Sequence, residues 1–204
     1  MLITSKTVAR RALSAAIASL LALPASAVLA DETYAIDPVH SQPRYEIQHM
    51  RGLSTQAGYF TKLAGKVTLD RAARKGTIYV TIDTTSIRTH DASRLDAIIK
   101  GEQYFNVEKY PTMSFKSTNL VFDGDKLVGA DGELTMIGVT RPVSLKVTNF
   151  TCGENPFNKK PMCGGEATAN IKRSEWGMKA GIPMSSSDDV RIIIPIEAYR
   201  EDAG

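Results

Sequence analysis

From residue 41 onward, apolar and polar positions alternate with a period of two, the pattern of strands that bury one face. Ser41, Pro43, Tyr45 and Ile47 alternate with Gln42, Arg44, Glu46 and Gln48. The same pattern returns at Leu63, Gly65, Val67 and Leu69, at Ile78, Val80 and Ile82, and at Met113 and Phe115. It continues at Val128, Ala130, Gly132, Leu134 and Met136, then at Val143, Leu145 and Val147. Ala167, Ala169 and Ile171 follow, and Val190, Ile192, Ile194, Ile196 and Ala198 close the series. These stripes predict eight strands.

Turn-forming strings separate many of them: Arg74-Lys75-Gly76, Asp123-Gly124-Asp125 and Gly138-Val139-Thr140-Arg141-Pro142. Short connections and one polar face per strand predict antiparallel neighbours. One stretch has a different period. Over residues 91–100, Ala92, Leu95, Ile98 and Ile99 recur at helical spacing, with Thr89 or Asp91 to cap the start and Gly101 past the end. A second short turn fits residues 102–106. The expected architecture is all-β, an eight-stranded antiparallel barrel with a short helical insert between the third and fourth strands, placed to cover an open end. Closing the sheet removes its edges, and eight strands leave an interior that side chains fill or that holds one slim ligand. Small inward residues (Ser41, Gly65, Ala130, Gly132, Ala167, Ala169) leave volume there, although tapered packing uses small residues too.

The first 30 residues have a different character. Lys6, Arg10 and Arg11 precede an apolar run from Ala12 to Leu23, then Pro24 and small residues. This is the layout of a cleaved export signal, with cutting expected after Ala30 or, alternatively, after Ala27. Residues 31–204 then form one barrel domain. The whole chain has 25 Lys+Arg against 22 Asp+Glu. The signal holds three of the basic residues and no acidic one, so the remainder is formally neutral. Nothing in that balance favours nucleic acid or an anionic surface as partner. Cys152 and Cys163 bracket a turn-rich loop, and an exported chain meets an oxidising compartment, so a disulfide is expected. Ten intervening residues with no His nearby do not suit a zinc site.

Several strings resemble one family: Tyr34-Ala35-Ile36-Asp37-Pro38-Val39-His40-Ser41, with His49 ending the first strand; Gly58-Tyr59-Phe60; and Ser86-Ile87-Arg88-Thr89 ahead of Arg94, Leu95 and Tyr104-Phe105. Lys109-Tyr110-Pro111-Thr112-Met113-Ser114-Phe115 belongs with them, as do the string over residues 132–143 and Ile171-Lys172-Arg173-Ser174-Glu175-Trp176-Gly177-Met178. In this order they are similar to the YceI family of periplasmic lipid- or polyisoprenoid-binding proteins, from about Tyr34 to Tyr199. The resemblance implies an extended, lipocalin-like, eight-stranded barrel with a tunnel for a polyisoprenoid, an isoprenoid quinone or a fatty amide, and no catalytic cofactor. Two features depart from the family pattern. Pro43 stands where a strand Val is usual, which predicts a bulge or an edge in the first strand, and the Cys152–Cys163 loop is not general to the family.

The expected function is a periplasmic carrier or sequestering protein for such a lipid, without catalysis. Its expected ligand wall is Tyr45, Ile47, Val80, Ile82, Met113, Phe115, Leu134, Met136, Leu145, Ile192 and Ile194 from the strands, Leu95, Ile98 and Phe105 from the insert, and Trp176. Plain core packing explains the inward strand residues equally well. Arg88 and Arg94 are candidates for a ligand headgroup. The rival reading is an enzyme acting on a lipid or ester through His40, Asp37 or His49, but neighbouring strand residues point to opposite faces, which separates His40 from Ser41. A three-His metal site would need His90 to fold back onto the first strand, so no metal is expected. A third reading is a protein that passes a quinone to a membrane redox partner. The sequence leaves a homodimer open.

Overall fold

Eleven strands and one short helix carry the chain in the computed structural model, which describes residues 32–201. The expected export signal lies outside the described residues. The strands are β1 (Glu32–Ile36), β2 (Arg44–His49), β3 (Ser54–Phe60), β4 (Leu63–Asp70), β5 (Lys75–Asp83), β6 (Ile87–Thr89), β7 (Thr112–Asp123), β8 (Lys126–Met136), β9 (Val139–Glu154), β10 (Pro161–Lys172) and β11 (Ser186–Arg200), with α1 (Leu95–Lys100) between β6 and β7. All pairings are antiparallel. The order β1-β4-β5-β7-β8-β9-β10-β11 closes into a ring through β1 and β11.

The other three strands prolong this ring. β11 runs beside β1 at its C-terminal end and beside β2 at its N-terminal end. β2 pairs with β3, which pairs with β6, just as β1 pairs with β4 and β4 with β5. So β1–β2, β3–β4 and β5–β6 are three long strands, each broken once, and the barrel has eight strands as the alternation predicts.

The breaks have a common chemistry. Pro38 and Pro43 lack the N–H a ladder needs, and the first break falls between them. The interruption expected from Pro43 is present. There the Ser41 hydroxyl replaces main-chain pairing: it accepts from Glu197 N at 2.9 Å and donates to Glu197 O at 3.1 Å. At the second break, Ser86 Oγ accepts from Lys62 N at 3.1 Å. At the third, Thr84 Oγ1 donates to Tyr110 O at 2.7 Å and Ser86 Oγ to Asp83 O at 2.6 Å. Ser41, Thr84 and Ser86 are buried for this reason. Each hydroxyl satisfies main-chain groups that a regular strand would satisfy itself.

Three sequence readings need correction. The turn expected over residues 138–142 is tighter: Ile137 and Gly138 turn the chain with φ of 45° and 77°, and Thr140, Arg141 and Pro142 already pair with β8. Two central residues of positive φ make the hairpin turn that best matches strand twist. A bulge at Val128, opposite Val121 and Phe122, shifts the stripe in β8, so Leu127 instead of Val128 points inward. The helix is shorter than residues 91–100. Asp91 caps a turn ahead of it by accepting from Arg94 N at 3.0 Å, and Gly101 ends it as expected.

Cys152 and Cys163 form the expected disulfide, across directly opposed positions of β9 and β10. In chain-entropy terms, closing so short a loop contributes up to about 3 kcal/mol.

Candidate functional site

Inward side chains do not fill the barrel. They surround a cavity of about 660 Å³, within the range of small-molecule sites. Along β11 the lining runs from Ser186 to Ala198. At about 3.3 Å per residue this is roughly 40 Å of strand, or about 30 Å along the axis for the usual strand tilt. The volume therefore averages on the order of 20 Å² in section over that length, an elongated cavity.

The wall is almost wholly apolar in its middle. Val80 and Ile82 from β5, Met113 and Phe115 from β7, Leu134 and Met136 from β8, Leu145 from β9, and Ile192 and Ile194 from β11 all face the tunnel, as their parity predicts. So do Tyr45 and Ile47 from β2, Leu95 and Ile98 from α1, and Phe105, whose ring meets Phe60 edge-on at 5.5 Å between centroids. At one end Tyr34, Leu69, Leu127 and Ala198 are buried and seal the tunnel. At the other end lie His49, Met50, Gln56, His90, Asp91, Arg94, Ser185 and Ser186, beside α1. Met50 is 48 % exposed and Ile98 45 %, so this end opens to solvent.

Two expected wall or headgroup residues lie elsewhere. Trp176 is 1 % exposed but does not line the tunnel. It sits in a short 3-10 turn after β10, and its indole Nε1 donates to Leu134 O at 3.2 Å, which locks the ring behind the wall. Arg88 is also outside the lining. Its guanidinium donates to Ile87 O at 2.7 Å and lies 3.9 Å from the buried Asp96 carboxylate. Arg94 alone of that pair reaches the mouth.

Parity could not show the residues that loops and breaks bring in. Arg173 is the most consequential. It is 4 % exposed, and its guanidinium donates to Ser187 O, Met178 O, Ala180 O and Ser186 Oγ at 2.8–3.0 Å. These bonds hold the segment that frames the mouth, and the same guanidinium lies 6.0 Å from the Tyr104 ring centroid. Its place in an Arg-Ser string was visible in sequence, but its four acceptors were not.

Tyr45 carries one of the few polar groups in the tunnel interior. Its phenol lies across Gly58, where a Cβ would fall 2.6 Å from Tyr45 Cε1, so a larger residue there would displace the ring. Burial pushes the phenol pKa up to about 12, helped by the nearby Asp96 and Tyr104. An unfolded phenol ionises near 10. Between about pH 10 and 12 the unfolded chain therefore binds fewer protons than the folded one, and stability falls as pH rises through that window. Ultraviolet difference titration is expected to show a tyrosine class ionising near pH 12 that Tyr45→Phe diminishes. An unchanged titration curve in Tyr45→Phe would refute the assignment.

The histidines do not converge. His49 and His90 line the mouth, whereas His40 borders a concavity on the outer wall. His40 Nδ1 lies 2.7 Å from Asp37 Oδ2. Ser41 is fully buried with its hydroxyl committed to Glu197, so these three residues do not form a nucleophile with its base.

The YceI-like domain matches residues 34–198, nearly the whole described barrel. The chain belongs to the YceI family. It is 35 % identical over 187 residues to Protein YceI of Escherichia coli O157:H7, a match covering 90 % of this chain and 94 % of that one. The fold of BcnA from Burkholderia cenocepacia superposes with a TM-score of 0.68 at 23 % identity, covering 79 % of this chain and 98 % of that one. A polyisoprenoid binding domain from Saccharophagus degradans, implicated in plant cell wall breakdown, superposes with a TM-score of 0.60 at 16 % identity, covering 82 % and 98 %. The extended barrel is thus shared with these two proteins at low sequence identity.

Proposed function

We propose that this YceI-family barrel is an exported, periplasmic carrier or sequestering protein that holds one long apolar lipid in its tunnel and does no chemistry on it. The observation that carries the reading is the tunnel: sealed at one end, open beside α1, and lined almost entirely by aliphatic and aromatic side chains. A linear chain leaving water for such a wall gains roughly 25 cal/mol per Å² of apolar area buried. The barrel closes on itself, so little ordering cost opposes binding. A polyisoprenoid, an isoprenoid quinone or a fatty amide has the required shape. The polyisoprenoid-binding description of the Saccharophagus degradans domain supports this class of cargo. Met113, Met136 and Met178 line the wall, and their unbranched thioethers adapt to a methyl-branched chain. Arg94, at the mouth, is placed to meet a polar head.

Native mass spectrometry of protein purified from periplasm without detergent, followed by organic extraction, tests the reading. The expected result is a long-chain lipid bound one per barrel. A bare protein mass, together with no uptake of added ubiquinone or oleamide, would overturn it.

A further inference from the structure

We propose that Asp37, His40 and Glu197 form a binding site for a divalent transition-metal cation on the outer wall, apart from the tunnel. His40 Nδ1, a carboxylate oxygen of Asp37 and one of Glu197 lie within 4.8 Å of one another. Nδ1 is 2.7 Å from Asp37 Oδ2 and 3.9 Å from Glu197 Oε2. Tetrahedral ligands about 2.0–2.1 Å from a metal stand roughly 3.3–3.4 Å apart. One contact must lengthen and the other shorten, each by about 0.6 Å. His40 and Glu197 are partly exposed and free to make that adjustment.

The main chain beneath them is fixed. Asp37 N donates to Glu197 O at 2.8 Å, and Ser41 Oγ holds both main-chain groups of Glu197. The first break in the barrel wall and β11 are therefore pinned together where the three side chains meet. Asp37 Oδ1 is occupied by Val39 N at 2.9 Å, which leaves Oδ2 aimed at the imidazole. The main-chain frame of the site is in place before any ion arrives.

Charge points the same way. Among the described residues, neither Asp37 nor Glu197 has a lysine or arginine partner; each meets only His40. The adjoining concavity is lined by Glu154, Glu166 and Glu197 and by no lysine or arginine. Coordination displaces the proton that His40 Nδ1 shares with Asp37 Oδ2, and the two carboxylates then leave a double negative charge for a dication to balance. An imidazole nitrogen beside carboxylates selects zinc, nickel or copper over calcium or magnesium. Three protein ligands leave a further position for water.

Calorimetric titration of the tag-free protein with zinc chloride is the test. One zinc per chain is expected in the micromolar range. Glu197→Gln is expected to weaken binding by roughly tenfold or more, and His40→Ala to abolish it. His49→Ala and His90→Ala are expected to leave the zinc affinity unaltered. On the unmodified protein, nickel is expected to broaden the ring signals of His40 in the NMR spectrum and to spare those of His49 and His90, a readout independent of whether any variant folds. Absence of zinc binding, binding unaltered by His40→Ala, or broadening centred on His49 or His90 would each overturn the site and leave His40 as an ion-pair partner of Asp37 only.

Discussion

Arg173→Met is expected to destabilise the barrel by about 3–5 kcal/mol. Methionine keeps the apolar stem and removes the guanidinium alone. Three carbonyls and one hydroxyl then lose their donor in a nearly buried position. For a chain of this length such a loss lowers the melting temperature by roughly 10 °C. Arg173→Lys is expected to recover only part of it, because an ammonium has no planar fork to reach several acceptors at once. Urea unfolding of the three proteins measures this directly. A difference between native and Arg173→Met of less than about 1 kcal/mol would mean that water replaces the guanidinium without penalty. The mouth shares in the effect, since Met178 and Ser186 both line the tunnel and both are held by Arg173. A weaker grip on lipid is expected alongside the lower stability.

Lipid retention is expected to disappear in two variants for different reasons. Leu145→Asp places a carboxylate against the chain's path. The lost apolar contact and the cost of desolvating the charge together exceed about 3 kcal/mol, a fall in affinity of at least a hundredfold. That variant also strains the fold, because β9 pairs with β8 at Ala130, a fully packed position. Ala167→Phe separates the two effects. Ala167 faces the tunnel from β10, and a phenyl ring there obstructs the bore while keeping the wall apolar. It is expected to give a stable barrel that copurifies with no long-chain lipid. If Ala167→Phe folds and still carries one lipid per barrel, the cargo does not occupy the tunnel's midsection. If Leu145→Asp stays loaded, position 145 does not face it.

Much of this was legible because a strand's geometry is so simple. Once Val80 or Ile192 is known to point inward, parity places its neighbours: Val143, Leu145 and Val147 of β9, and Val190, Ile194, Ile196 and Ala198 of β11, all line the tunnel. Legibility failed where period two fails. β3 reads Ser-Thr-Gln-Ala-Gly-Tyr-Phe and is largely exposed, so it carries no stripe. β6 has only three residues, too few for a period. The bulge at Val128 in β8 moved Leu127 into the tunnel against the expected parity. Long-range partners were invisible for another reason. Nothing local in Ser41 or His40 points to Glu197, 156 residues further along for Ser41, and nothing in Trp176 points to the Leu134 carbonyl. Chain closure makes those contacts, and only three-dimensional structure reveals them.

The third broken strand has a consequence for traffic. β7 begins opposite Asp83, so β6 has a ladder partner on one side only. On its other side the Thr89 N–H donates to the Asp96 carboxylate of α1 at 2.7 Å, and the Thr89 hydroxyl does the same at 2.8 Å. Between the unbroken strands β7 to β11, parting the wall means unzipping a register of main-chain bonds. Here it means releasing a few side-chain bonds, each worth about 1 kcal/mol or somewhat more for a charged acceptor. The barrel thus has a seam at β6, bridged by α1 through Asp96. On the proposed carrier function, a long lipid would be laid in here from the side and not threaded end-first through a pore.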